Sequence, residues 1–253
     1  MRFCRLLTQD KKGLTGWIHG DHIGLIEGDL FGEFRRQEAL IPLKNVTLLA
    51  PVKAGKIICI GRNYPEHASE QGVELPEAPL LFLKPPSAII ATNDDIQIPV
   101  QSQQVEHEAE LVVVIGKKGR WISADKASEY IFGYTIGNDV TARDLQHKDG
   151  QWTRAKGFDT FCPLGPWIET DLDASDTLIT CRVNSELRQM ASTREMVFTI
   201  PQVVAYISSV MTLEPGDLIF TGTPAGVGPL NPGDEVEIEI EGIGVLSNFV
   251  IQR

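Results

Sequence analysis

Apolar residues in this chain fall mostly in short runs with a period of two, closed by glycine or proline, and few stretches carry the longer period of a helix. In the first 50 residues the apolar pieces are cut by Gly16, Gly20, Gly24, Gly28 and Gly32, a spacing that suits hairpins and predicts a small N-terminal β module. His19 and His22 within it have no third ligand nearby and read as a surface turn. Lys56 to Ile60 and Leu80 to Leu83 read as strands, and between them Pro65 opens a short helix that Gly72 ends. Helices are also predicted around Ala124 to Tyr130, over Ala142 to His147 with Thr141 and Asp144 as a capping pair, and within Phe198 to Met211. LEPGD and LNPGD are turns, with Pro215 and Pro232 presetting φ and Gly216 and Gly233 supplying the bend. Many strands, few short helices and no regular βαβ alternation predict an α+β, mainly β architecture, with the module at residues 1–50 and a larger domain over residues 51–253.

The most informative run is VEHEAELVVVIGK, from Val105 to Lys117. It sets Glu106, Glu108 and Glu110 at alternate positions ahead of five consecutive apolar residues, Leu111 to Ile115, and Gly116 closes it. Such a run predicts a buried strand, and a period of two then puts all three carboxylates on one face. Two carboxylates about 7 Å apart repel by roughly 2 kcal/mol at an effective dielectric near 20. A strand entering an apolar core tolerates that cost when a cation sits on the same face, so the spacing points to a hard divalent metal. A solvated acidic edge, or a short helix with Glu106 and Glu110 at i,i+4, produces the same letters.

In the short helix after Pro65, His67 and Glu70 stand three apart and share a face. A carboxylate beside an imidazole fixes its tautomer and raises its basicity, as water activation requires; an ordinary surface pair has the same spacing. Asp139 falls at a strand-to-helix junction, where a side chain is held rigidly yet stays accessible. TGTPAGVG, Thr221 to Gly228, lacks the lysine and following helix of a phosphate loop and reads as a glycine-rich loop of an active site. The net charge of −11 argues against nucleic acid as a partner, because phosphates need a basic surface. No apolar run approaches a membrane span and MRFCRLLTQDKKG holds no signal-like segment, so a cytoplasmic protein with no membrane partner is expected. Cys4, Cys59, Cys162 and Cys181 lie far apart with no CxxC pair, which predicts reduced, mostly buried thiols.

Seven stretches, CIGRNYPEHASE, FLKP, EHEAELVVVIGK, GNDVTARDLQ, RAKGFD, VNSELRQ and TGTPAGVGP, follow in that order from about Lys56 to the C-terminus. Together they closely resemble the fumarylacetoacetate hydrolase family, especially its acylpyruvate hydrolase and oxaloacetate decarboxylase branch. The resemblance implies a mixed β-sandwich roll, a homodimer and one Mg²⁺ or Mn²⁺ per subunit. By match of motif it implies Glu108, Glu110 and Asp139 as metal ligands, Lys156 facing the enolate or carboxylate, and Arg62, Arg143, Gln146 and Thr223 as substrate contacts. It further implies that His67 and Glu70 form a dyad on a mobile lid, which Gly61 and Gly72 bracket. Glu106 stands where the family often has Asp and is not carried over as a ligand.

Three carboxylates leave about three positions of an octahedron open, enough for a 2-oxo acid and one water. The expected activity is therefore hydrolytic cleavage of a C–C bond in acylpyruvates through a pyruvate enolate, with His67 activating water. Oxaloacetate decarboxylation shares that enolate and needs no water. The alternative is decarboxylation or isomerisation of homoprotocatechuate ring-cleavage products. A metal-dependent binding protein is the reading outside enzymology, and turnover of acetylpyruvate with Mg²⁺ separates it from the others.

Overall fold

Leu111 to Ile115 can all be apolar because both faces of their strand are covered. In the computed structural model, which describes residues 1–7 and 11–253, the strand Ala109–Ile115 is buried along its whole length. Leu111, Val113 and Ile115 point into one core, and Val112 and Val114 point into another on the opposite face. The strand Ile57–Gly61 repeats this alternation: Ile58 and Ile60 enter the first core, Ile57 and Cys59 the second. Each such burial is worth about 1.5–3 kcal/mol, so this pair of strands anchors everything mounted on it.

Ala109–Ile115 pairs antiparallel with Ile131–Asn138 on one side and with Leu218–Phe220 on the other. Leu218–Phe220 runs parallel to Ile57–Gly61, and Leu80–Lys84 forms that edge. On the far side Cys162–Glu169 follows, and Arg2–Leu7 pairs with it through Arg2 opposite Glu169 and Phe3 opposite Ile168. The hairpin of Gly13–His19 and His22–Gly28 continues outward, so the N-terminal strands extend the main sheet. A second sheet of Asp95–Ile98, Gly244–Gln252, Glu235–Ile240, Leu178–Val183 and Glu186–Ser192 covers the first core, together with the helix Ile200–Val210. The architecture is mainly β, the mixed roll expected from the sequence. Gly216 and Gly233 have φ of +84° and +96°, as the two proline–glycine turns require.

Three local expectations are corrected. The run from Val105 is not one strand: it breaks at Glu108, and Val105–His107 joins a separate small sheet with Thr141–Ala142 and Gly228–Pro229. At the break Glu108 N–H donates to Asn138 Oδ1 at 3.0 Å and Glu108 O accepts from Asp139 N–H at 2.9 Å, replacing ladder bonds. Glu106 therefore does not share a strand face with Glu108 and Glu110. The Thr141–Asp144 capping pair does not form; Thr141 donates to Asp139 O, Asp144 accepts from Ser102 Oγ, and the helix Arg143–Asp149 has no side-chain cap. Residues Ala124–Tyr130 wind as a 3₁₀-helix.

All four cysteines are free and buried, and among the described residues no helix is long and apolar enough to cross a membrane. Gly137, opposite Glu110, lies against the Phe220 ring and Val112 with no room for a methyl group. Gly137→Ala is accordingly expected to cost about 1–3 kcal/mol through overpacking, read as a lower midpoint of urea unfolding.

Candidate active site and metal centre

Three carboxylates meet at the start of the buried strand. Glu110 is the second residue of the buried strand, Glu108 stands at the break before it, and Asp139 directly follows Ile131–Asn138. Their nearest ligand atoms all lie within 4.8 Å of one another, and none of the three side chains is appreciably exposed. Hard oxygen donors at this spacing can converge on one divalent cation. Glu110 accepts from Gly222 N–H at 2.7 Å, and among the described residues no Lys or Arg is ion-paired with it. Burial pushes its carboxyl well above the usual range, and repulsion from Asp139 and Glu108 adds to this. A bound cation would relieve that penalty on the ionised carboxylate, so the donor set fits a divalent metal.

The other two ligands are neutralised by the protein itself. Lys156 Nζ lies 2.8 Å from Glu108 Oε2 and 2.6 Å from Asp139 Oδ2, and Arg143 Nη2 lies 2.6 Å from Glu108 Oε1. Burial opposes ionisation of Glu108, but Lys156 and Arg143 outweigh it and hold this carboxyl well below its ordinary range. Burial alone would likewise discharge Lys156; Asp139 and Glu108 reverse the effect and raise it. Lys156 is thus a fixed ammonium, suited to stabilising anionic charge and unsuited to acting as a base. Lys84, on the edge strand, lies in FLKP, where no spacing or periodicity marks it as a site residue. Its fully buried Nζ donates to Asp139 Oδ1 at 2.6 Å and to Val140 O at 3.2 Å.

The four residues matched as substrate contacts all line one space with the acidic triad, although not all of them have free hydrogen-bonding groups. Arg143 is spent on Glu106 Oε2 at 2.7 Å, Glu108, and Gln146 Oε1 at 2.6 Å; Glu106 is therefore its anchor. Thr223 gives its hydroxyl proton to Ala109 O at 2.9 Å. Arg62 differs: it follows the strand Ile57–Gly61 with φ of +58°, stacks 6.0 Å over the Trp152 ring, and has no carboxylate paired to it among the described residues. A non-glycine residue held in the left-handed region carries backbone strain, which recurs where a side chain must be aimed.

Pro65–Glu70 is the expected short helix, ended by Gly72 at φ +66°. It places His67, 4% exposed, over the cluster. His67 Nδ1 stands 3.4 Å from Glu70 Oε2, and Nε2 stands 3.0 Å from Gln71 Nε2. Glu70 also accepts from Gly226 N–H at 3.1 Å, which ties the helix to the glycine-rich loop. Burial lowers the His67 pKa below 6.5, only partly offset by Glu108 and Glu70. The imidazole is consequently a neutral proton acceptor below its ordinary titration range. The acid limb of a kcat/KM profile that depends on His67 is expected below pH 6.5; a limb above that value would count against this assignment. Arg62, His67, Gln71 and Trp152 line one common space with the ionic cluster.

With that geometry in place, comparisons with known proteins agree on one family. The profile described as fumarylacetoacetate (FAA) hydrolase C-terminal matches residues 56–251, and one described as Rv2993c-like, N-terminal matches residues 1–51. The chain is 45% identical to the mitochondrial oxaloacetate tautomerase Fahd2a of Rattus norvegicus, over 85% of this chain and 72% of that protein. The crystal structure of 5-carboxymethyl-2-hydroxymuconate delta-isomerase from Mycobacterium smegmatis is 47% identical, superposes with a TM-score of 0.93, and is covered in full along with this chain. Maleylpyruvate hydrolase from Sphingobium sp. SYK-6, solved with manganese(II) and pyruvate, is 34% identical with a TM-score of 0.83, over 100% of this chain and 99% of that one.

Proposed function

The chain belongs to the fumarylacetoacetate hydrolase family, and from that premise we propose that it is a Mg²⁺- or Mn²⁺-dependent enzyme that enolises a small 2-oxo dicarboxylic acid of the oxaloacetate type. The observation that carries this reading is the charge of the site. With Glu110 ionised, as a bound cation requires, Glu106, Glu108, Glu110 and Asp139 face Lys84, Lys156 and Arg143, an excess of one negative charge. A divalent cation turns that into one positive charge, and Arg62 makes it two. A dianion restores neutrality, so a 2-oxo acid with a second carboxylate suits the site better than a monoacid.

A cation held by Glu108, Glu110 and Asp139 would supply Lewis-acid charge to the 2-oxo acid end of the substrate. Lys156 adds a fixed positive charge for the developing enolate, and Arg62 pairs with the distal carboxylate. His67, with Nδ1 turned to Glu70, takes a proton from C3 on Nε2 and returns it to the enol oxygen once Gln71 swings aside. Phe82 and Trp152, packed edge to face at 5.2 Å, keep water from that wall.

A second reading, hydrolysis of acylpyruvates, is favoured by the same pair of a buried His67 and Glu70. His67 would deprotonate water, which attacks the distal carbonyl; the C3–C4 bond breaks, its electrons enter the pyruvate enolate, and the enolate takes up the proton. A carboxylic acid and pyruvate leave. Oxaloacetate decarboxylation reaches the same enolate without water.

The test is a panel of kcat/KM values for the Mn²⁺-loaded protein: keto–enol exchange of oxaloacetate, its decarboxylation, and hydrolysis of acetylpyruvate, fumarylpyruvate and maleylpyruvate. Oxaloacetate exchange should lead. A lead for an acylpyruvate would transfer the assignment to the second reading, and no turnover of any would end both. The proposal includes a homodimer, expected at about twice the 27.9 kDa chain mass in light scattering.

A further inference from the structure

The stretch VNSELRQ ends in Gln189, whose side chain is 1% exposed and does not reach the cavity. It nevertheless sits where three parts of the site meet. Gln189 Oε1 accepts from Ala109 N–H at 3.0 Å and from His107 Nδ1–H at 3.0 Å; Gln189 Nε2 donates to Thr223 Oγ1 at 2.7 Å and to Pro224 O at 2.8 Å. Ala109 N can only donate and Pro224 O can only accept, so the amide has a single orientation and His107 carries its proton on Nδ1. All four hydrogen-bonding positions of the amide are used.

The location matters because the sheet ends there. Leu218–Phe220 pairs with the metal strand as far as Val112, Thr221 N–H adds one last backbone bond to Leu111 O at 3.2 Å, and the loop beyond it leaves the ladder. Gln189 and Thr223 take over the backbone groups of Ala109, the residue between Glu108 and Glu110: the N–H goes to Gln189 and the carbonyl accepts from Thr223. One position earlier on the Gln189 strand, Arg188 O packs against Gly226, where φ is +96° and a Cβ has no space. Gly226 N–H is the group that Glu70 of the lid helix accepts from.

We infer that Gln189 is a positioning residue that holds the Thr223–Gly226 loop against the metal strand, so that Gly226 N–H can latch Glu70 and keep His67 over the site. Without the amide, Thr223 and Pro224 lose their donor, the loop drifts, and the latch loosens. Glu108 keeps Lys156 and Arg143, and Glu110 keeps Gly222 N–H, because Thr221 ties that end of the loop to Leu111 O independently of Gln189. The two effects are therefore separable.

The experiment compares wild type with Gln189→Met, an apolar side chain of similar length. Hydrogen exchange by mass spectrometry over residues 65–72 should be about tenfold faster in the variant, the loss expected for one latching hydrogen bond. Mn²⁺ affinity by calorimetry should change less than about threefold, because the latch is made outside the metal ligands. Where substrate turns over, the loss should lie in KM, since saturating ligand recloses the lid. Thr223→Val removes the same link from the other side without altering Gln189, and should speed lid exchange equally; it decides the matter if Gln189→Met does not fold. Unchanged lid exchange in the folded variant, or Mn²⁺ affinity falling in step with lid protection, would overturn the inference and leave Gln189 as ordinary support for the strand. Exchange and metal binding need no turnover, so they decide this point even if the enolisation reading fails.

Discussion

Glu110→Gln should remove divalent-metal binding and, with it, turnover of oxaloacetate and acylpyruvates alike. The substitution preserves shape, and the amide oxygen can still accept from Gly222 N–H, 2.7 Å away in the native chain. What disappears is the carboxylate of the triad that pairs with no lysine or arginine among the described residues. Lewis-acid stabilisation is worth several kcal/mol, so kcat/KM should fall on the order of 10³-fold or more. Stability should move the other way in the metal-free protein. Because burial, Asp139 and Glu108 raise Glu110 above its ordinary 4.5, the folded state keeps a proton that the unfolded chain releases. Metal-free wild type therefore loses stability as pH rises from 4.5 toward the raised value, and Glu110→Gln does not. At neutral pH the metal-free variant should melt above metal-free wild type, and Mn²⁺ should raise the Tm of wild type only. Equal Mn²⁺ affinity by calorimetry in the two proteins would remove Glu110 from the metal site.

His67→Ala separates proton transfer from charge stabilisation. Loss of a general acid–base group costs about 10²- to 10⁴-fold, and that loss should appear in both oxaloacetate tautomerisation and acylpyruvate hydrolysis. Decarboxylation of oxaloacetate draws only on the cation, Lys156 and Arg62, so it should survive far better. Mn²⁺ affinity should hold, because His67 touches Glu70 and Gln71 and none of the three ligands within hydrogen-bond distance. Wild-type rates of tautomerisation and hydrolysis at saturating metal would reduce His67 to the ordinary helix pair that its spacing also allows.

Local pattern was enough to determine the scaffold. Five apolar, mostly β-branched residues in succession from Leu111 suit a strand covered on both faces, and Pro65 and Gly72 bracket a short helix. The identity of the acidic triad was legible as well, once Asp139 was matched by motif. What the carboxylates pair with was not. Lys84 reaches Asp139 from 55 positions away, Arg143 anchors on Glu106 from 37, and Gly226 meets Glu70 from 156. The break at Glu108 is of the same kind, because Asn138, 30 residues on, supplies the acceptor that ends the ladder. Periodicity reports which side of an element faces the core, and it does so through burial that many neighbours can satisfy equally. An ion pair or a shared amide needs one particular atom within about 3 Å, and only the closure of the two sheets brings these atoms together.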